Sequence, residues 1–540
     1  MTVTTDQELS GTLACLLARH AADPGRIFAV AEDEQGHATV ISYAEQLRRA
    51  QATAGALAEL GVRPGDRVHL HTANCPEFFD VWFATALLGA VLLPTGPQSS
   101  ADELSYVLQQ TAPVVSLTAR SLRATVSAAI SVAESESNWR GARQVALHGS
   151  EPDALPALAA EAAPVPIPQA CGAGPDTRTA AILYTSGTTS RPKGVLVTHA
   201  NYRAVGAAIA GHLAITEQDR WLIALPLFHA NAQYYCTMSA LTTGASIVLA
   251  PRFSASGWAR QAADYGATLG SLFAAPIRMI LAQPPAEAEQ RSRLRAVLFA
   301  QNLSDSQTAE FERRFAARLL QLYGMTETVL PPTINPDTAE RRWHSIGRPL
   351  PGVRLRLARA DGTTPGPGEP GELLVAGVSG VTLAAGYYRD PMATAATFRD
   401  GWLYTGDLAR LADDGYFHFV DRAKDMIKRS GENVSAGEIE RVAAEHPAIA
   451  ECAAIGVPDP LRDEAIVLVV VAAPDTCPDP AELIAWCADQ LAPYKVPSSV
   501  VFTDALPRTS VGKIAKARLR SRLVPDSLPP TPQTSPVEDA

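Results

Sequence analysis

Between residues 42 and 117 the apolar pattern switches repeatedly between the helical and the strand period, and this alternation constrains the fold more than any other feature of the chain. Residues 42–60 (SYAEQLRRAQATAGALAEL) carry apolar side chains at helical spacing until Gly61 stops them. Residues 67–71 then read as a strand, 76–88 as a helix, 90–94 as a short apolar strand, 102–110 as a helix and 114–117 as a further strand. Helices inserted between strands cover the faces of a sheet, so the pattern predicts an α/β fold with much parallel sheet. A second α/β stretch follows over about 180–330. From about 347 to 420 strands and Gly/Pro turns predict a small β-rich unit, and from 422 onward a separate α+β domain of roughly 100 residues is expected. Residues 160–175 (AEAAPVPIPQACGAGP) read as a surface connection, and the proline-rich stretch 525–540 as disordered.

The 540 residues exceed what one ordinary core accommodates. A net charge of −10 argues against a mainly basic nucleic-acid footprint. Seven cysteines, at 15, 75, 171, 236, 452, 477 and 487, show no CxxC pair and no Cys/His metal spacing, which speaks against structural zinc and suits a reducing cytoplasm. The N-terminal segment MTVTTDQELSGTLACLLARH lacks a basic start and a long apolar run, so it reads as a capped amphipathic helix rather than a signal peptide. The apolar stretches 81–94 and 465–474 are too short to span a bilayer as helices and are expected in the core.

Residues 182–184 read as the end of a strand that enters Thr185-Ser-Gly-Thr-Thr-Ser-Arg-Pro-Lys193-Gly194. Small residues let backbone N–H groups approach phosphate oxygens, hydroxyls add donors and Lys193 adds a point charge. The Walker A spacing is absent. By contrast, Gly366-Pro-Gly-Glu-Pro-Gly371 matches G-x-G-x-x-G literally, but its prolines and the strand pattern after it identify a turn.

The run YTSGTTSRPKG resembles the signature loop of the AMP-forming adenylating enzymes: acyl-CoA synthetases, adenylation domains and luciferases. Further motifs of that family stand in its usual order: LPLFHANA (225–232), LYGMTET (322–328), GWLYTGDL (401–408), DRAKDMIKRSGENVSAGEIE (421–440) and PRTSVGKI (507–514). The resemblance spans about residues 10–523. It implies a large N-terminal adenylate-forming domain (1–423), a small mobile C-terminal domain (424–523) and a tail (524–540).

It also implies a reaction: a carboxylate and ATP, with Mg²⁺, give acyl-AMP and pyrophosphate, after which a thiol, read as that of CoA, displaces AMP. Two anions must meet, so the site needs cations and oriented donors more than a strong base. By resemblance, Thr185, Ser186, Gly187, Thr188, Thr189, Lys193 and Gly194 would hold the β- and γ-phosphates. Tyr323 would stack on adenine, Thr326 would bond the α-phosphate and Glu327 would ligate Mg²⁺. Asp407 would take the ribose hydroxyls and Arg422 ribose or phosphate. Lys513 would bridge the acid and the α-phosphate. Lys424 stands at the hinge, Lys428 would enter the site in the transfer state, His229 would gate or line the acid site, and Gly431 would let the pantetheine arm pass. Each of these alone also has a plainer reading as a core, turn or surface residue; their joint occurrence in ordered motifs favours the functional one.

Within the family, residues 228–302 look most like the crotonobetaine/carnitine-CoA ligase branch. The candidate acid pocket is Asn231, Gln233, Phe273, Gln301, Met325 and Leu330. A trimethylammonium group favours an acidic or aromatic cage, and residues 230–233 (ANAQ) offer no acid. The lining therefore suits a hydroxylated or amino-substituted acid as well as carnitine. Gln301 stands where many relatives have small, glycine-like residues. Three alternatives remain: loading of a carrier protein, activation of another oxyanion such as nitrite for attack by an amine, and nucleotide binding without catalysis. The chain has only six lysines, and four of them (Lys193, Lys424, Lys428 and Lys513) fall in these motifs. Lys495 has no assigned role, and Lys516 is read as a surface residue tolerant of arginine.

Overall fold

The computed structural model describes residues 10–168, 174–185, 192–422, 426–429, 432–459, 463–474, 476–508 and 514–523. The chain divides after Phe419 into two compact units.

The first unit contains two large sheets. One has the strand order Arg143–Ala146, Val115–Thr118, Arg67–His71, Val91–Thr95, Thr179–Thr185, Lys193–Thr198. Its strands are parallel except for the last pair, an antiparallel hairpin in which Thr185 faces Lys193. The other places Arg318–Tyr323, Ala296–Ala300, Leu269–Phe273, Arg220–Ile223, Ser246–Leu249 and Ile27–Glu32 side by side in parallel, with antiparallel strands at both ends. This is the α/β architecture that the alternating pattern predicts.

Local chemistry fixes the element ends. Ser42 starts the helix Tyr43–Glu59 by accepting a hydrogen bond from the Glu45 N–H at 3.1 Å. Ser100 and Glu103 form a reciprocal capping box at Ala101–Thr111. Pro76 opens Pro76–Leu88 in the first turn, where its missing N–H leaves no gap, and Gly89 closes that helix at φ 66°. Pro76–Leu88 has no polar face to present to water: its residues from Phe78 to Leu87 are buried, and Trp82 is fully so. One apolar cluster joins Leu57, Val68, Phe79 and Trp82 with Trp221, Ile247 and Leu320, so most of the 81–94 stretch belongs to the core that joins the two sheets, while Val91 and Leu93 join a smaller cluster with Val107 and Ile182. The buried carboxylate of Asp80 in this helix is held by Arg49 at 2.6 Å and by the Gln46 amide at 2.7 Å.

At the N-terminus the helix is Leu13–Ala21, and the Thr12 side chain makes no capping bond. The expected cap is therefore not formed there. Residues 366–371 form a turn that leads into the strand Gly371–Ala376, with Gly368 at φ 73°. That strand pairs with Arg354–Ala358 and Trp402–Leu411 in a small antiparallel sheet.

The second unit is α+β. The long hairpin Ile449–Asp459 with Asp463–Ala472 is its centre, Ser499–Phe502 adds a parallel strand, and Ile427–Arg429 pairs with Glu432–Val434. The helices Ala436–Ala444 and Pro480–Ala488 pack on this sheet through Ile439, Val442, Leu483 and Cys487. The apolar stretch 465–474 supplies most of the inner strand Asp463–Ala472 of this sheet, buried from Ile466 to Val470. Among the described residues no helix is long and apolar enough to cross a membrane.

Candidate active site

The parallel strands of the second large sheet all end on one edge, and the register places several candidate residues there. Phe273 is paired with Ala300, so Phe273 and Gln301 lie at neighbouring strand ends, and Tyr323 ends the next strand. Crevices outside the carboxyl ends of such strands are where open α/β sheets bind ligands.

Tyr323 donates its hydroxyl to Asp407 Oδ2 at 2.6 Å, and both residues are buried. Asp407 comes from the small antiparallel sheet, so this bond ties two sheets of the first unit together. The Tyr323 ring lies 6.2 Å from Phe419 at 29°.

The phosphate-loop flanks meet the TET turn through a residue that sequence reasoning missed, Tyr387. Its backbone bridges to Val195, and Tyr388 N–H donates to the Gly194 carbonyl at 2.7 Å, so residues 385–388 run beside the strand Lys193–Thr198. Lys193 Nζ sits 5.0 Å from the centre of the Tyr387 ring. The Tyr387 hydroxyl donates to Glu327 Oε1 at 2.9 Å. Burial, and next the Glu327 carboxylate, push this hydroxyl far above its ordinary pKa, so it remains a donor at neutral pH. The paired tyrosines in Gly386-Tyr-Tyr-Arg-Asp were the available signal. The backbone carbonyl of Glu327 accepts from Ala384 N–H at 3.0 Å, and that of Thr326 from the Tyr234 hydroxyl at 3.3 Å. Glu327 is 5% exposed. Glu327 thus offers a buried carboxylate oxygen on the same tyrosine whose ring Lys193 overlies, the kind of hard oxygen ligand that Mg²⁺ would take. Gly194 is required sterically, because a Cβ there would lie 2.7 Å from Ile182 and 3.1 Å from the Tyr184 ring.

The acid-pocket candidates separate. Asn231 Oδ1 accepts from the Ser271 hydroxyl at 2.8 Å, and His229 is half-buried, its ring 3.9 Å from that of Phe228. Gln301 is exposed and adopts φ 76°. That conformation favours glycine, which gives a physical reason for small residues at this position. Three candidates have other tasks. Gln233 is fully buried, accepting from the Tyr202 hydroxyl and donating to the Leu227 carbonyl. Leu330 belongs to the main core. Met325 packs toward Val375, Leu383 and Leu403. A sequence pattern cannot tell which way such side chains turn.

Ser186, Gly187, Thr188, Thr189, Lys424, Gly431, Lys513, the Arg422 side chain and the tail 524–540 lie outside the described residues. In the second unit Lys428 is exposed, on the strand that pairs it with Asn433. Asp421 of the hinge motif accepts from the Ser435 hydroxyl at 3.1 Å and from Gly437 N–H at 3.0 Å, which fixes the start of the helix Ala436–Ala444. Lys495 acquires a role: its ammonium lies 2.8 Å from both oxygens of Glu438.

Lys516 is not the plain surface residue expected. Its side chain is 14% exposed and its ammonium lies 2.7 Å from Glu440 Oε1, which also accepts from Ala454 N–H at 2.8 Å. Desolvation raises the Glu440 pKa above the usual carboxylate range, and Lys516 opposes that shift. A carboxyl whose folded pKa is raised favours folding at low pH and loses that contribution as pH rises through the folded value. Removing the ammonium enlarges this term, so Lys516→Met should destabilise the second unit by about 1–3 kcal/mol near pH 7 and by less near pH 5. Thermal unfolding at the two pH values measures it; an equal loss at both would refute the assignment.

The chain matches the family model "AMP-binding enzyme" over residues 17–388 and "AMP-binding enzyme C-terminal domain" over 438–513. It is 36% identical over 493 residues to a crotonobetaine/carnitine–CoA ligase of Escherichia coli O139:H28, an alignment covering 91% of this chain and 95% of that protein. Among solved structures it resembles ATP-bound MatB from Rhodopseudomonas palustris, with TM-score 0.85, 29% identity and 95% and 99% of the two chains covered. It also resembles a benzoate CoA ligase from Burkholderia xenovorans LB400, with TM-score 0.84, 25% identity and 94% and 100% covered.

Proposed function

The chain belongs to the AMP-binding enzyme family as an AMP-forming acid–thiol ligase, and on that premise we propose that it converts a small hydroxylated or amino-substituted carboxylic acid into its CoA thioester. In the first step a carboxylate oxygen forms a bond to the α-phosphorus of ATP and pyrophosphate leaves. In the second the CoA sulfur, having lost its proton, forms a bond to the acyl carbon and AMP leaves. Bound Mg²⁺ supplies positive charge to the phosphates; the chain's own residues do the rest.

The observation that carries this reading is the contact series Lys193–Tyr387–Glu327. It brings a cation to the ring and a buried carboxylate to the hydroxyl of one tyrosine, next to the strand that leaves the phosphate loop. Lys193 would meet phosphate oxygens, and Glu327, oriented by Tyr387, would hold the metal. Asp407, fixed by Tyr323, would accept from the ribose hydroxyls. Lys513 would neutralise the approach of the acid. The small domain, read as 424–523, would turn about Lys424 between the two steps.

For the acid itself the support is chemical. With Gln233 withdrawn into the core, the remaining polar and aromatic candidates are Asn231, bonded to Ser271, and Phe273 and Gln301 at neighbouring strand ends: two amides and one aromatic ring. None carries a negative charge to offset a trimethylammonium group, and a single ring does not form a cage. We place the protein in the cytoplasm, in keeping with six free cysteines among the described residues.

The test is AMP and pyrophosphate release with L-carnitine, crotonobetaine, benzoate and 4-aminobenzoate, each with and without CoA. The reading expects CoA-dependent turnover, with the aminobenzoate at least about tenfold above carnitine in kcat/KM. Preference for carnitine would overturn the acid class. Turnover that ignores CoA would overturn the acceptor.

A further inference from the structure

The loop from Ala224 to Asn231, which delivers Phe228 and His229 to the proposed acid site, is held largely by side chains from elsewhere. Two buried amides converge on one of its residues, Leu227. Asn74 Oδ1 accepts from the Leu227 N–H at 2.8 Å. The Gln233 amide donates to the Leu227 carbonyl at 2.7 Å. Both polar ends of this residue are therefore taken, and Leu227 itself is 1% exposed. Asn74 reaches further: its Nδ2 donates to the Leu225 carbonyl at 3.1 Å and to the Ala250 carbonyl at 3.0 Å, which anchors the loop to the end of the strand Ser246–Leu249. Gln233 is in turn fixed by the Tyr202 hydroxyl. Beyond the clamped residue, the Phe228 ring occupies the space that a side chain at position 96 would fill; a Cβ on Gly96 would lie 2.6 Å from its Cζ. Gln233 also stands in a π-helical stretch, Ala232–Thr237, and such stretches recur at functional sites.

We infer that Asn74 and Gln233 form an amide clamp on Leu227 that sets the direction of Phe228 and His229, making both positioning residues for the acid substrate. The inference rests on the reading that His229 borders the acid site. A fully satisfied buried amide network rigidifies what it holds, and loss of one member leaves the others unpaired. Neither amide touches the reacting atoms in this arrangement; each acts through the loop.

The experiment compares Asn74→Ser, Gln233→Met and the double variant with the wild-type enzyme. Gly96→Ala serves as a variant that displaces Phe228 without touching either amide. Backbone hydrogen exchange, followed by mass spectrometry, reads the loop without any acid present. Exchange over residues 224–231 should rise about tenfold in each amide variant, while Leu269–Phe273 keeps its protection. With whichever of the four acids wild type converts fastest, the KM for the acid should rise about tenfold, the KM for ATP should stay within about twofold, and the two amide substitutions should combine less than additively. Gly96→Ala should raise the acid KM as well. Unchanged exchange in the amide variants would overturn the clamp, even if all four acids prove inert. Faster exchange with an unchanged acid KM would retain the clamp and overturn its role in acid positioning.

Discussion

Lys513→Ala should lower acyl-adenylate formation by about a thousandfold while leaving transfer from a supplied acyl-AMP within about threefold of wild type. The first step brings a carboxylate against an α-phosphate, and two unit charges about 4 Å apart at an effective dielectric near 20 repel by about 4 kcal/mol. An ammonium between them replaces that repulsion with two attractions, and a difference of about 4 kcal/mol corresponds to about 10³ in rate. The second step is thiol attack on an anhydride carbonyl and involves no such meeting of anions. Arginine should rescue only partly, since its planar fork is wider than an ammonium. The described residues on either side, Arg508 and Ile514, form an antiparallel bridge, and Ala515 N–H donates to the Pro507 carbonyl at 2.7 Å. ATP–pyrophosphate exchange and single-turnover transfer measure the two steps separately. Near-normal exchange by the alanine variant would remove Lys513 from the mechanism.

Glu327→Gln should reduce kcat by about 10²–10³, the range for loss of one preorganised electrostatic group. The substitution keeps the side-chain shape and an oxygen able to accept from Tyr387, and removes only the charge. Tyr387→Phe provides the complement. It keeps the ring beneath Lys193 and removes the donor to Glu327, a loss of about 1 kcal/mol or about fivefold in rate. The ratio of the two effects separates charge from orientation. A Glu327→Gln enzyme within threefold of wild type would show that the buried carboxylate holds no metal in the reaction.

Much of the fold was legible because its signals are local. Periodicity alone predicts a helix over 42–60, a strand over 67–71 and a helix over 76–88, and the structure adds the ends that Ser42, Pro76 and Gly89 set, each acting within a turn of its element. The literal G-x-G-x-x-G at 366–371 was recognisable as a turn for the same reason. The site was legible less evenly. Motifs placed Glu327, Tyr323 and Asp407 together in sequence logic, and the structure supplies the bond between the latter two. Tyr387 lies 60 residues beyond its partner Glu327, and the paired tyrosines around it mark the segment without naming that partner. Lys516 looked exposed because the Glu440 that neutralises it is far away in sequence.

The sequence by itself determined the class of fold, the order of the motifs and the chemical character of each candidate, because periodicity, caps and residue types are short-range properties. Only the tertiary structure decided direction. Gln233 and Leu330 have the composition of a pocket and turn instead into the core, and Met325 rests against the small-sheet cluster, while Asn74, unremarked in its own segment, reaches 153 residues along the chain to hold Leu227. A side chain's partner is chosen by packing and by the need to satisfy every buried polar group, and both are settled only when distant strands have been brought together.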